Sequence, residues 1–247
     1  MRKFGLIGFP LSHSFSKKFF TEKFIEEHIE GCLYDLFPIP EVDLLPQLIA
    51  GDPDLEGINV TIPYKLGVIP YLNEIEEAAD QIGAVNCIAV KRDGDNLFLK
   101  GYNTDAYGFE VSLSPMLEQH HTKALVFGDG GAAKAVKYVL DKLGISFLVV
   151  TRRPAENAIL YSDITSELLR EYTVLINTTP LGMSPDTESC PDIPYHSLSE
   201  KHLAYDLVYN PEETVFLSKA KMNGASIKNG LEMLYLQAER SWHIWNS

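Results

Sequence analysis

Positive charge is scarce in this sequence: 21 Lys and Arg stand against 34 Asp and Glu, for a net charge of −13 at neutral pH. Such a chain is a poor counter-ion for a phosphate backbone, which argues against nucleic acid as a partner. A small anionic ligand stays open, because a pocket's field depends on its own few groups and not on the total. Cysteine is scarce as well. Cys32, Cys87 and Cys190 are odd in number, far apart and free of C-x-x-C spacing. No disulfide framework and no metal site is expected, and a reducing compartment is. Long apolar runs are missing too. The longest, such as Ala124-Leu125-Val126-Phe127 and Phe147-Leu148-Val149-Val150, are strand-sized, so no membrane span is expected. The start, Met1-Arg2-Lys3-Phe4-Gly5, leads straight into a strand-like stretch with no signal-peptide pattern. The expectation is a cytoplasmic protein. Its oligomeric state is open between monomer and homodimer.

What is present is an alternation of strand-like and helix-like segments without repeats or low-complexity tracts. Hydrophobic residues make up 45% of 247 positions, enough to build a sizeable core. Strands are expected at Phe4–Gly8, Cys32–Phe37 and Gly57–Ile62, with helices at Phe15–His28, Val42–Ala50, Leu66–Leu72 and Ile75–Ile82. Ala84–Lys91 and Leu97–Gly101 flank Arg92-Asp93-Gly94-Asp95, a hairpin signal. Together these predict a mainly parallel sheet with an antiparallel edge. A second series follows: strands at Ala124–Phe127, Phe147–Thr151, Thr173–Asn177 and Leu203–Asp206, helices at Ala132–Leu143, Glu212–Met222 and Gly230–Trp245. The chain therefore reads as α/β with two domains. Residues 1–103, completed by a C-terminal helix 230–247, form one, and a Rossmann-type domain over 104–229 forms the other.

Gly128-Asp129-Gly130-Gly131-Ala132-Ala133 directly follows a buried-type strand and opens a helix, which is the context that gives a G-x-G-x-x-A turn its meaning. Gly128 would make the tight turn, and Gly130 and Gly131 would let a pyrophosphate approach. Free N–H groups from Ala132 onward would meet its charge. Asp129 is out of place beside phosphates and is expected to cap the helix instead. The next strand ends in Thr151-Arg152-Arg153-Pro154, with no acid before Glu156. An NAD site places an acid there, whereas cations suit a 2′-phosphate, so NADP is the expected cofactor.

Further polar clusters sit at strand ends: Ser12-His13-Ser14-Phe15-Ser16, Asn59-Val60-Thr61-Ile62-Pro63-Tyr64-Lys65, Gly83-Ala84-Val85-Asn86 and Asn103-Thr104-Asp105. With Asn177-Thr178-Thr179-Pro180-Leu181-Gly182-Met183, Asp206–Pro211 and Asn229–Leu234 followed by Gln237, they run in order along the whole chain. This set resembles the shikimate dehydrogenase family. The resemblance implies NADPH-dependent reduction of 3-dehydroshikimate, a small anionic ketone, in a cleft between the two domains. It further implies that Ser14 and Ser16 bind the substrate carboxylate with Tyr209 nearby. Thr61, Asn86, Asp105 and Gln237 would bind the ring hydroxyls. Lys65 and Asp105 would be the catalytic pair, and Thr178, Met183 and Gly230 would lie toward the cofactor. His13 is read as structural. Asp129 departs from the family's usual alanine, and Glu232 from a small residue.

The chemistry fits these residue types independently. A polyhydroxylated ring needs short donors and acceptors, and a ketone that receives hydride needs a nearby proton donor, which Lys65 can be.

Overall fold

The protein, described here from a computed structural model, is defined over residues 1–11, 14–94 and 96–247. Ser12, His13 and Asp95 lie outside the described residues, and with them the structural reading of His13 and the last position of the Arg92–Asp95 turn. In chain order the elements begin β1 (Arg2–Ile7), α1 (Phe15–Glu26), β2 (Cys32–Phe37), α2 (Leu45–Gly51) and β3 (Leu55–Val60). Next come β4 (Glu74–Ile75), α3 (Glu77–Ile82), β5 (Cys87–Asp93), β6 (Asn96–Tyr102) and α4 (Thr104–Leu113). The second half runs β7 (Lys123–Phe127), α5 (Gly131–Lys142), β8 (Ser146–Thr151), β9 (Ala158–Leu160), α6 (Ser166–Glu171) and β10 (Val174–Asn177). It ends β11 (Leu203–Asp206), α7 (Val215–Met222), β12 (Ser226–Lys228) and α8 (Leu231–Trp245). Two compact units result, residues 1–104 with 237–247, and residues 105–236.

The first unit is built on a six-stranded sheet in the order β2-β1-β3-β5-β6-β4. The β1/β2 and β1/β3 ladders are parallel, while β5 is antiparallel to both of its neighbours, β3 and β6. The expected antiparallel edge is therefore an antiparallel interior strand, and the edge ladder β4/β6 is parallel. Alternation along β1 serves two cores. Phe4 and Leu6 face an aromatic cluster with Phe20, Phe24, Tyr34, Trp242 and Trp245, whereas Ile7 faces an aliphatic cluster with Leu45, Ile49, Ile58 and Val85. Trp245 stacks on Phe4 with ring centroids 4.9 Å apart, and its indole N–H donates to the Ile88 carbonyl at 3.1 Å. Gly57 makes this possible, because a Cβ there would stand 2.4 Å from the Trp245 ring.

Proline explains where the expected helices shorten. Pro46 sits in the first turn of α2, so the helix starts at Leu45 after a separate 3₁₀ turn at Val42–Leu44. Over Leu66–Leu72 only the 3₁₀ turn Ile69–Tyr71 forms, around Pro70.

The second unit holds a fully parallel sheet in the order β12-β11-β10-β7-β8-β9. Its strands are near-continuous apolar runs, as a sheet covered on both faces requires. Leu125, Phe127, Val150, Leu175 and Ala204 pack with Phe216 and Leu217 of α7. α5 makes the β7-to-β8 crossover with Ala133, Val136, Val139 and Leu140 buried. From β8 to β9 the chain uses only residues 152–157 and no helix. α7 begins at Val215 and not at Glu212, because Thr214 caps it by accepting the Leu217 N–H. Four short elements, β4, β9, α6 and β12, were not anticipated from the sequence.

Candidate functional site

In the first unit, a chain of hydrogen bonds joins Ser16, Asn59, Thr104, Asn86 and Gln237, with Ser14 outside it. Ser14 is the N-cap of α1, its hydroxyl accepting the Lys17 N–H at 3.3 Å. Ser16, on the first turn, is hydrogen-bonded to the Tyr34 hydroxyl, whose pKa burial pushes well above its ordinary value. Tyr34 donates to Asn59 Oδ1 at 2.9 Å, and Asn59 Nδ2 donates to Ser241 Oγ at 2.9 Å. Ser241 lies 3.3 Å from the Thr104 hydroxyl, which in turn reaches Asn86 and, at 3.5 Å, Gln237. Asn86 and Gln237 are 3% and 8% exposed. Their positions are thus fixed by partners and not by rotamer preference alone.

Thr61 and Lys65 flank the turn that leaves β3. The Thr61 N–H donates to the Ile7 carbonyl at 3.0 Å, extending the ladder by one residue, and its carbonyl accepts from Tyr64 N–H at 2.9 Å. The buried Tyr64 hydroxyl donates to Ile39 O at 2.7 Å, and the Lys65 carbonyl accepts the Val85 N–H at 2.8 Å. The backbone on both sides of Lys65 is therefore anchored, while its side chain is half-buried. Asp105 stands in the first turn of α4, in the second unit, and is also half-buried.

In the second unit, a cavity of about 300 Å³ lies over the start of α5, lined by Gly128, Asp129, Gly130, Thr151, Arg152, Tyr161, Thr178 and their neighbours. Gly128 has φ +97° and its missing Cβ would meet Thr179 Cγ2 at 2.8 Å, so only glycine suits the turn. Gly130 and Gly131 differ: a Cβ at either would meet nothing within 4 Å, so the space before the helix is open to a ligand. Ala132, in the first turn of α5, adds a backbone N–H at that end. Thr178 is held by its hydroxyl donating to Phe127 O at 2.7 Å, and Thr151 by its hydroxyl donating to Arg153 O at 2.7 Å. Arg152 lines the cavity; Arg153, next along the loop, is exposed. Among the described residues no acid other than Asp129 lines the cavity, and a dinucleotide bearing an extra phosphate fits this donor set.

Asp129 does not cap the helix. The N-cap is Gly130, without a side-chain bond, and Asp129 pairs with Lys137 one to two turns along α5. The loop after β11 is organised by Asp206, a fully buried carboxylate whose pKa burial raises to about 6. It accepts from Thr214 Oγ1 at 2.6 Å, Asn177 Nδ2 at 2.9 Å and Val208 N–H at 3.0 Å. Tyr209 lies on this loop, 38% exposed. Gly230 closes against it: a Cβ there would stand 2.1 Å from the Leu207 carbonyl. Met183 is 48% exposed, on the loop after β10, and Glu232 pairs with Lys228. Among the described residues no group of three or more His, Cys, Asp or Glu could hold a metal ion, and no helix is long and apolar enough to cross a membrane.

Known proteins resemble this chain in sequence and fold. Residues 6–88 match the family model for the shikimate dehydrogenase substrate binding domain. A shikimate dehydrogenase (NADP(+)) from Caldanaerobacter subterraneus is 35% identical over 260 residues, spanning 98% of this chain and 90% of the relative. The chain belongs to the shikimate dehydrogenase family. Its solved relatives agree. A chorismate mutase/shikimate 5-dehydrogenase fusion protein from Clostridium acetobutylicum superposes with a TM-score of 0.86 at 37% identity, over 100% of this chain and 91% of that one. The Thermus thermophilus shikimate 5-dehydrogenase, solved in complex with NADP(H) and shikimate, gives 0.85 at 30% identity, over 99% and 93%.

Within this shikimate dehydrogenase fold, sequence reasoning missed the residues that hold others in place. The sequence alone singles out none of Tyr34, Ser241 and Lys137. Only their partners reveal them.

Proposed function

We infer that the protein is an NADP-dependent shikimate dehydrogenase, catalysing the reversible reduction of 3-dehydroshikimate to shikimate. The observation that carries this reading is full-length family membership combined with an acid-free loop, Thr151-Arg152-Arg153, at the edge of the nucleotide cavity. The activity places it in the pathway that leads to aromatic amino acids, and the acidic composition fits a cytoplasmic enzyme. A homodimer is compatible with this reading.

When bound, NADPH supplies the hydride. Gly128, Gly130, Gly131, Ala132 and Thr178 would hold its diphosphate, Thr151, Arg152 and Arg153 its 2′-phosphate, and Met183 and Gly230 would border the nicotinamide. The protein's own work is orientation and proton transfer. Ser14, Ser16 and Tyr209 take the substrate carboxylate, while Thr61, Asn86, Asp105 and Gln237 take ring hydroxyls. Such a site rejects analogues strongly, because a missing hydroxyl leaves buried polar groups unpaired. Lys65 delivers the proton to the oxygen that becomes negative as the ketone is reduced, and Asp105 completes the catalytic pair.

The test is the absorbance of reduced nicotinamide while purified protein oxidises shikimate, with NADP⁺ or NAD⁺ and with quinate in parallel. Turnover that requires shikimate and NADP⁺, and is lost in Lys65→Ala with the fold intact, is the expected result. Turnover only with NAD⁺, or only with quinate, would refute it.

A further inference from the structure

Asp129 is the single acid among the residues lining the nucleotide cavity, and it lies within the turn that must accept a diphosphate. An uncompensated carboxylate there repels the ligand the turn is shaped for. The structure supplies a compensation from outside the fingerprint: Lys137 Nζ donates to Asp129 Oδ1 at 2.5 Å. Lys137 reaches back along α5 to do so, with its own side chain 28% exposed. A partly exposed pair of this kind contributes little to folding stability, so the fold does not account for it.

We propose that Lys137 is a positioning residue for the dinucleotide, neutralising Asp129 and holding its carboxylate on the α5 side of the phosphate-accepting turn. The proposal rests on the reading of this cavity as the NADP site. It assigns a binding role to a lysine that touches neither substrate nor, itself, the phosphates. Without Lys137, a unit negative charge is left close to a doubly charged diphosphate. At the screening typical of a protein surface this weakens binding on the order of tenfold. The effect must shrink as salt rises, since both charges are near solvent.

The experiment titrates NADP⁺ into wild type, Lys137→Met, Asp129→Asn and the double variant at low and high salt, alongside KM and kcat for shikimate oxidation. Circular dichroism checks the fold, and Lys137→Arg keeps the charge. Lys137→Met should weaken NADP⁺ about tenfold at low salt, with the loss in KM and kcat largely retained and a smaller gap at high salt. Lys137→Arg should stay close to wild type, and adding Asp129→Asn to Lys137→Met should restore affinity. Unchanged affinity in Lys137→Met overturns the proposal. So does a double variant as weak as the single one, since Lys137 would then meet the phosphates directly. Both results leave the nucleotide reading standing. A wild type that binds no dinucleotide removes that reading and this inference together.

Discussion

Asn86 and Thr104 clasp each other: Asn86 Nδ2 donates to the Thr104 hydroxyl at 3.0 Å, and the Thr104 N–H donates to Asn86 Oδ1 at 2.6 Å. Asn86 thereby serves as the acceptor at the start of α4 while standing on the strand-end turn before β5. An amide has two N–H groups, so one remains for a ligand hydroxyl. On the proposed reading, structural and substrate roles are combined in this one side chain.

Asn86→Ala should therefore cost both stability and binding. A buried backbone N–H left without an acceptor costs about 1–3 kcal/mol. The urea midpoint should fall by a matching amount, and KM for shikimate should rise in the protein that stays folded. Loss of substrate affinity with no change in the midpoint would contradict the clasp.

Arg152→Ala should lower NADP⁺ affinity far more than NAD⁺ affinity. A charge-assisted contact to phosphate contributes about 1.5–3 kcal/mol, roughly ten- to a hundredfold. Comparing kcat/KM for the two nucleotides in wild type and variant reads this out. Equal loss with both would assign Arg152 to a part of the nucleotide they share.

Tyr161 should behave oppositely to an ordinary buried tyrosine. Its ring stacks on Phe127, yet its buried hydroxyl has no hydrogen-bond partner among the described residues. Tyr161→Phe removes an unsatisfied polar atom and keeps the ring, so stability should hold or rise by about 1 kcal/mol. A clear fall in thermal midpoint would mean that the hydroxyl has a partner in solution.

Asp206 predicts a pH dependence. Its folded pKa, about 6, lies above the ordinary carboxylate value, so between those two points the folded state binds more protons than the unfolded state. Its contribution must therefore decrease as pH rises through that window, the reverse of a salt-bridged carboxylate. The difference in unfolding free energy between wild type and Asp206→Asn should slope across pH 4–6 by on the order of 3 kcal/mol in total. A flat difference would show the carboxylate ionised throughout.

How much of this was legible beforehand follows from what each feature depends on. The glycine turn was readable because Gly128 answers to a local backbone need, its positive φ. Strands such as Cys32–Phe37 and Leu203–Asp206 were readable from composition alone. β9 and β12 were not, because three residues give no periodicity to detect. α2 and the Ile69–Tyr71 turn were overextended because apolar spacing was weighed above Pro46 and Pro70. Ser241 could not be found from sequence, since its role depends on Asn59, far away in the chain, and on Thr104. Asp129 was recognisable as an oddity, but its resolution by Lys137 needed three-dimensional placement.

The first unit is discontinuous, and this has a consequence for how the protein is born. Phe4, Phe20 and Phe24 pack on one another and on Tyr34, and each has a further ring partner in Trp242, with Trp245 added for Phe4 and Phe20. During synthesis these three phenylalanines must wait, with part of their aromatic face uncovered, until Trp242 and Trp245 have been made. Residues 1–104 thus stay incompletely covered while residues 105–236 are made, which exposes them longer to aggregation. A premature stop shortly before Gln237 would injure the first unit more than the second.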